Sequence, residues 1–229
     1  MRLLAIDTSS PLGSVAIVEE ERLVAELSLD VEYTHSRRLM RDVDLVLKAV
    51  GLTIRQIDGF ALTLGPGSFT GLRIGVATVK GMAMVSEKPI AGVVTLDALA
   101  QNLFGTACDA WALIDARKGE VFAARYVPLT DRMERSGEPL LLKPAELLQH
   151  VQGPSLFLGS GVPLCEGPLR EALGDLPVFA PRHLWPIRAA VVAALGRAKI
   201  EAGEVEDLAT FGPLYLRASE AELKSSEDV

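Results

Sequence analysis

The sequence predicts a two-lobed α/β fold built from a duplicated β-β-β-α-β-α unit. Two strand-like apolar runs, "RLLAIDTS" and "AWALIDAR", each end in an aspartate, Asp7 and Asp115. The same succession of strand and helix periodicities follows each of them. The chain has 229 residues, 49% hydrophobic and 23% charged, which is enough for two compact lobes with their own cores. The expected lobes are 1–105 and 106–229, the second closing in a flexible acidic tail, "ASEAELKSSEDV".

In the first half, "RLLAIDTS", "GSVAIVEEE" and "RLVAELSLD" are separated by short turns and predict three strands in a meander. "HSRRLMRDVDLVLKAVG" repeats apolar residues at Leu39, Val43, Val46, Leu47 and Val50, one face of a helix, with Gly51 as its stop. "GFALTLG" is a buried strand, "TGLRIGVATVKGMAMVSE" a helix, "KPIAGVVT" a strand and "LDALAQNLFG" a helix.

The second half repeats the order. "AWALIDAR" and "GEVFAARYV" flank a tight turn, and "EPLLLK" is a weaker third strand. The helix "PAELLQHVQ", the strand "SLFLGSG", the helix "VPLCEGPLREALG", the strand "PVFA" and the helix "IRAAVVAALGRAKIEAG" complete the unit.

The net charge of −7 and sequence pI of about 5.1 argue against nucleic-acid binding by bulk charge, which needs clustered lysine and arginine. The opening "MRLLAIDTSS" is too short an apolar run for a signal peptide, and no stretch reaches the roughly 18 apolar residues of a membrane span. Cys108 and Cys165 lack metal or redox spacing and read as idle thiols in a reducing, cytoplasmic compartment.

The most informative stretch is "LTLGPGSFTGLRIGVATVKG", Leu62 to Gly81. A Walker loop needs GxxxxGK[ST], but Leu72 follows Gly71. A dinucleotide fingerprint needs a third glycine where Thr70 stands. Gly65, Pro66 and Gly67 therefore predict a tight turn, with Ser68 or Thr70 capping the next helix; its first N–H groups could hold an anion. At about 100° per residue, Leu72, Val76, Val79 and Ala83 share one face of that helix. Ile74, Thr78, Gly81, Met82 and Val85 share another, beside Gly71 and Gly75, and only Arg73, Lys80 and Glu87 form a polar stripe. A helix apolar nearly all round is covered on two sides. The pairs Gly71/Gly75 and Ala77/Gly81 would let a neighbouring backbone approach, within this chain or from another.

Two α/β lobes of this kind resemble the actin, hexokinase and sugar-kinase superfamily, whose first-strand turns grip a nucleotide. Here those turns are degenerate. Asp7-Thr8-Ser9 lacks the glycine that lets backbone approach phosphate, and Asp115 is followed by Ala116, Arg117, Lys118 and Gly119 without a glycine pair. Gly159 and Gly161 in "LGSG" resemble the adenosine-binding turn.

"LLAIDTS", "GPGSFTGLRIG", "DARKGEVF" and "GPLYLR" resemble the TsaB (YeaZ) family over about Arg2 to Arg217. The resemblance implies the actin-like fold and a role as non-catalytic partner of TsaD. Within that assembly the threonylcarbamoyl group is transferred to the N6 of the adenosine beside the anticodon, in tRNAs reading codons that begin with A. It implies a TsaD heterodimer, TsaE joining through the complex, tRNA met through the complex, a homodimer when TsaD is absent, and no membrane. No cofactor of its own and no metal are implied, only weak residual ATP or ADP binding. TsaD carries a metal-binding histidine pair on its first long helix; here His35 has Leu39 four residues on, and His150 and His183 lie elsewhere.

The interface expected on the helices Ser36–Val50 and Thr70–Glu87 comprises Leu39, Val43, Val46, Leu72, Ile74, Val76 and Val79, with the partner-facing side left open. Arg37, Arg38 and Arg41 are expected on the solvent side of the first helix. A stand-alone ATP-dependent kinase or ATPase is the alternative, favoured by the fold and opposed by the eroded turns; a metallo-glycoprotease lacks a ligand motif.

Overall fold

The structure, a computed structural model, describes residues 1–31 and 34–216; the acidic tail expected from Ala218 onward lies outside the described residues. The first half contains β1 (Arg2–Asp7), β2 (Leu12–Glu19), β3 (Arg22–Asp30), α1 (His35–Ala49), β4 (Gly59–Gly65), α2 (Phe69–Ser86), β5 (Ile90–Val94) and α3 (Thr95–Ala100). These follow the predicted order. The sheet runs β3-β2-β1-β4-β5, with the meander antiparallel and β4 and β5 parallel to β1.

Side chains alternate across this sheet as the period of two demands. Leu4, Ile6, Val15, Ile17, Phe60 and Leu62 pack with α1 and α2 in one core. The intervening positions are small. Ala5 lies opposite Ala16 and Ala61, and Ala61 opposite Ala91, so a row of alanines crosses the sheet.

The second half contains β6 (Asp109–Asp115), β7 (Val121–Pro128), β8 (Met133–Arg135), β9 (Leu140–Leu142), α4 (Pro144–Leu147), β10 (Ser155–Leu158), α5 (Val162–Leu173) and β11 (Pro177–Phe179). Its sheet runs β11-β10-β6-β7-β8, with β9 also on β7. The single weak strand predicted at "EPLLLK" is thus accompanied by an unpredicted one, β8, since both pair with different parts of β7. The helix predicted over "PAELLQHVQ" is one turn long. Gln149 and His150 donate their N–H groups three residues back, to Glu146 and Leu147, so the chain tightens instead of continuing as α-helix. Trp111, Leu113, Phe157, Val162, Cys165 and Leu169 form the core of this unit.

The last helix, α6 (Ala189–Glu201), corrects the expected division at residue 105. Two compact units form, the first joining Met1–Ala98 with Ile187–Pro213 and the second built on Leu99–Pro186. Helix α6 belongs to the first and packs on its five strands. A Cβ added at Gly196 would collide with that of Ala61 and touch that of Ala91, so the glycine lets α6 lie close over the alanine row. Order along the chain does not reveal which sheet a late helix covers. No helix among the described residues is long and apolar enough to cross a membrane.

Candidate functional site

The turn after β1 is closed from within. Asp7 is fully buried, and its Oδ1 accepts from Ser9 N at 3.1 Å, Ser9 Oγ at 2.6 Å and Thr63 Oγ1 at 2.6 Å; Oδ2 has no hydrogen-bond partner. Burial, only partly offset by those bonds and by the His35 charge, pushes the Asp7 carboxyl above its ordinary value of 3.8. Thr63 lies on the neighbouring strand β4, so one buried carboxyl ties the turn to the strand that leads into the glycine stretch.

That stretch then packs back on the turn. Ser68 N donates to Ser9 O at 2.7 Å, and Thr8 Oγ1 donates to Gly71 O at 2.8 Å. A Cβ at Gly67 would overlap Ser9 O, one at Gly71 would overlap Thr8 O, and one at Gly75 would overlap Thr8 Oγ1. The glycines serve close approach, and the neighbour is this chain's own turn. Ser68 caps α2 by accepting from Gly71 N at 3.2 Å, while Thr70 lies inside the helix. Ser9 N and Oγ are thus committed to Asp7, Ser68 N to Ser9, Gly71 N to Ser68 and the Thr8 hydroxyl to Gly71.

Helix α1 is fastened to the same turn. His35 Nε2 donates to Ser10 O at 2.7 Å, and Arg38 Nη2 donates to Pro11 O at 3.2 Å and lies 3.3 Å from His35 Nδ1. Arg38 also pairs with Asp42 at 3.3 Å. It is buried, which corrects its expected solvent position; Arg37 and Arg41 are exposed. Its length lets it fold back along the helix to reach the loop carbonyl.

The second turn is open. Asp115 is partly exposed and accepts from Arg117 N at 2.7 Å, with the Arg117 guanidinium 3.6 Å away. Arg117, Lys118 and Gly119 follow with φ of 63°, 55° and 77°, a left-handed run that turns the chain into β7. All three are exposed. Gly159 and Gly161 lie against β6: Gly161 N donates to Leu113 O at 3.0 Å, and a Cβ at Gly159 would overlap that same carbonyl.

Of the residues expected at a partner interface, Leu39, Val43, Val46, Leu72, Val76 and Val79 are buried in the chain's own core, and Ile74 is half-buried against it. This corrects the expectation. Both apolar arcs of α2 looked equivalent in sequence, and the sheet takes the one centred on Val79. Of the other arc, Met82 is buried in the same core and Thr78 is half-buried, and only its outward edge is bare. Met84 is 67% and Val85 76% exposed, Ala77 and Gly81 are exposed, and a Cβ at Gly81 would meet nothing within 4 Å. On α1, Met40 and Leu45 are also exposed. Sequence reasoning names Ala77 with Gly81 as a close-approach pair but misses Met84. The available signal was Arg73, which stacks on Phe69 at 3.9 Å and marks the solvent side of the helix next to both.

The histidines stay apart in role. His35 is used on the loop carbonyl, His150 meets the Trp111 ring edge-on, and His183 lies in a 3₁₀ turn. Among the described residues no three His, Cys, Asp or Glu side chains cluster as metal ligands would. Burial pushes the Cys165 thiol up to about 11, as suits a core residue.

A family model described as TsaD, tRNA N6-adenosine threonylcarbamoyltransferase, matches residues 30–225. The tRNA threonylcarbamoyladenosine biosynthesis protein TsaB of Bacillus subtilis is 32% identical over 229 residues, 98% of this chain and 97% of that one. The solved structure of YeaZ from Pseudomonas aeruginosa superposes with a TM-score of 0.79 at 29% identity, covering 94% of this chain and 99% of that one. The ethanolamine utilization protein EutJ from Carboxydothermus hydrogenoformans shares the fold alone, with a TM-score of 0.52 at 12% identity over 86% of this chain and 90% of that one.

Proposed function

The chain belongs to the TsaB (YeaZ) family, with the actin-like, sugar-kinase-like fold, and from that premise we propose that it is a non-catalytic subunit that docks on and activates TsaD. Its relatives' names place the role in tRNA threonylcarbamoyladenosine biosynthesis. The observation that carries the reading is the bare arc of α2. Ile74, Ala77, Gly81, Met84 and Val85 give an apolar, low-relief surface on a helix whose other side is fully used. Small residues at Ala77 and Gly81 let a partner helix approach closely, and the flanking methionine and valine supply area to bury. In TsaD's absence the same face serves a homodimer; TsaE and tRNA are met through the complex, in the cytoplasm.

The non-catalytic part of the reading is supported by the sealed turn at Asp7, whose polar groups are committed to the fold. The open turn at Asp115 leaves weak residual ATP or ADP binding as the extent of cofactor use. An ATPase or kinase in its own right would need both turns.

The test is a pair of neighbouring charges. Ala77→Glu, at an exposed position, leaves the chain folded and weakens binding to purified TsaD by about a hundredfold or more, as a charge desolvated in an interface centre should. Val76→Glu, in the core, prevents folding. If Ala77→Glu binds TsaD like the unaltered chain, α2 is not the docking helix.

A further inference from the structure

The turn after β1 fastens α2, the proposed docking helix, and α1 packed beside it, and that convergence has a use beyond folding. Within four residues, Thr8 holds Gly71 O of α2, Ser9 holds Ser68 at its start, and Ser10 and Pro11 hold His35 and Arg38 of α1. The contacts are built to be close. Gly67, Gly71 and Gly75 each lack a side chain where one would strike Thr8 or Ser9, and a Cβ at Gly13 would strike Arg38 Nη2 and His35. Behind them, Asp7 fixes the turn to β4 through Ser9 and Thr63.

We infer that this turn is a positioning socket: Thr8, His35 and Arg38 set the angle and register of α1 and α2, and so tune the affinity of the surface they present to the partner. This rests on the proposed docking role. The Thr8 bond carries the clearest signature, because Gly71 O is a helix carbonyl with its own helical donor. The hydroxyl is therefore not needed to satisfy it, and what Thr8 adds is a fixed lateral position for the first turns of α2. Gly75 exists at the one place where the Thr8 hydroxyl needs room. His35 and Arg38 play the matching part on α1, both reaching loop carbonyls that no strand pairing uses.

The experiment uses the full chain and purified TsaD. Thr8→Val keeps the branched volume and removes the donor; Thr8→Ser keeps the donor. Thr8→Val should weaken TsaD binding by about threefold to tenfold, the range one hydrogen bond commands, with Thr8→Ser at or near the original affinity. In the isolated chain, Thr8→Val should speed amide exchange across Gly71 to Val76 and leave that of α5 unchanged. Gly75→Ala should weaken binding further, and adding Thr8→Ala, which vacates the space, should restore part of the loss instead of deepening it. Unchanged exchange in α2, equal affinity for Thr8→Val and Thr8→Ser, or additive losses in the double variant overturn the socket. Ala77→Glu separates the two ideas. If it abolishes binding while the Thr8 variants do nothing, the docking face stands and the socket falls; if it binds normally, the docking face itself falls and takes the socket's consequence with it.

Discussion

The turns that close β1 and β6 begin from the same element, an apolar strand ending in aspartate, and reach opposite states. Asp7 is buried under a helix that packs onto its turn, whereas Asp115 stays partly exposed beside Arg117 and Lys118. Glycine makes both possible by different means. Around Asp7, Gly67, Gly71 and Gly75 are needed for what they lack, a Cβ that would strike Thr8 or Ser9. After Asp115, Gly119 is needed for what it allows, a φ of 77° with open space around it. A duplicated unit can thus keep its strand order while one copy of a turn becomes a packing surface and the other remains a surface loop.

The largest effect expected from this comparison is at Gly71. A methyl there meets the Thr8 carbonyl, which is backbone and cannot swing aside, so Gly71→Ala should cost about 3 kcal/mol or more in urea unfolding. Gly119→Ala in the open turn meets nothing and bears only the left-handed backbone, a cost of about 1 kcal/mol. Comparable losses at the two sites would break the contrast between close approach and conformational freedom.

Much of the first unit was legible because its strands are long and its helix periods clean. The sealed turn was half legible: the failed Walker and dinucleotide patterns at Leu72 and Thr70 ruled out those uses, but nothing local said that Thr8, more than sixty residues away in sequence, was the neighbour. The alanines Ala5, Ala16, Ala61 and Ala91 sat in the sequence as a hint of a closely covered face, yet only strand register aligns them into a row for α6. The docking arc was ambiguous for a similar reason. An α2 that is apolar on two sides does not say which side meets its own sheet.

A smaller, pH-dependent effect sharpens the burial half of the contrast. Burial holds the Asp7 carboxyl above its ordinary 3.8, so the native state prefers it protonated. That contribution is fully present below 3.8 and is lost as pH rises through the raised native value. Compared with Asp7→Asn, the unaltered chain should therefore be relatively more stable near pH 4 than near pH 8, in matched urea titrations. Parallel stability curves for the two proteins would mean that the buried bonds from Ser9 and Thr63 fully balance desolvation.

The smallest effect separates two glycines of one helix. Gly75 faces the turn and has no room, while Gly81, six residues on, faces outward with nothing within 4 Å of its missing Cβ. Its φ is not in the left-handed region, so an alanine there carries no backbone penalty. In an isolated helix interior that exchange gains about 0.5–1 kcal/mol, because the unfolded chain loses freedom and the helix does not. Gly81→Ala should therefore raise the melting temperature of the chain by a few degrees. If Gly81 is kept for a partner's close approach, the same variant should bind TsaD more weakly while being more stable. Stability and affinity moving in opposite directions is a result that packing within this chain cannot produce. Stability rising with affinity unchanged would leave Gly81 without a role in docking and confine the surface to Ile74, Ala77, Met84 and Val85.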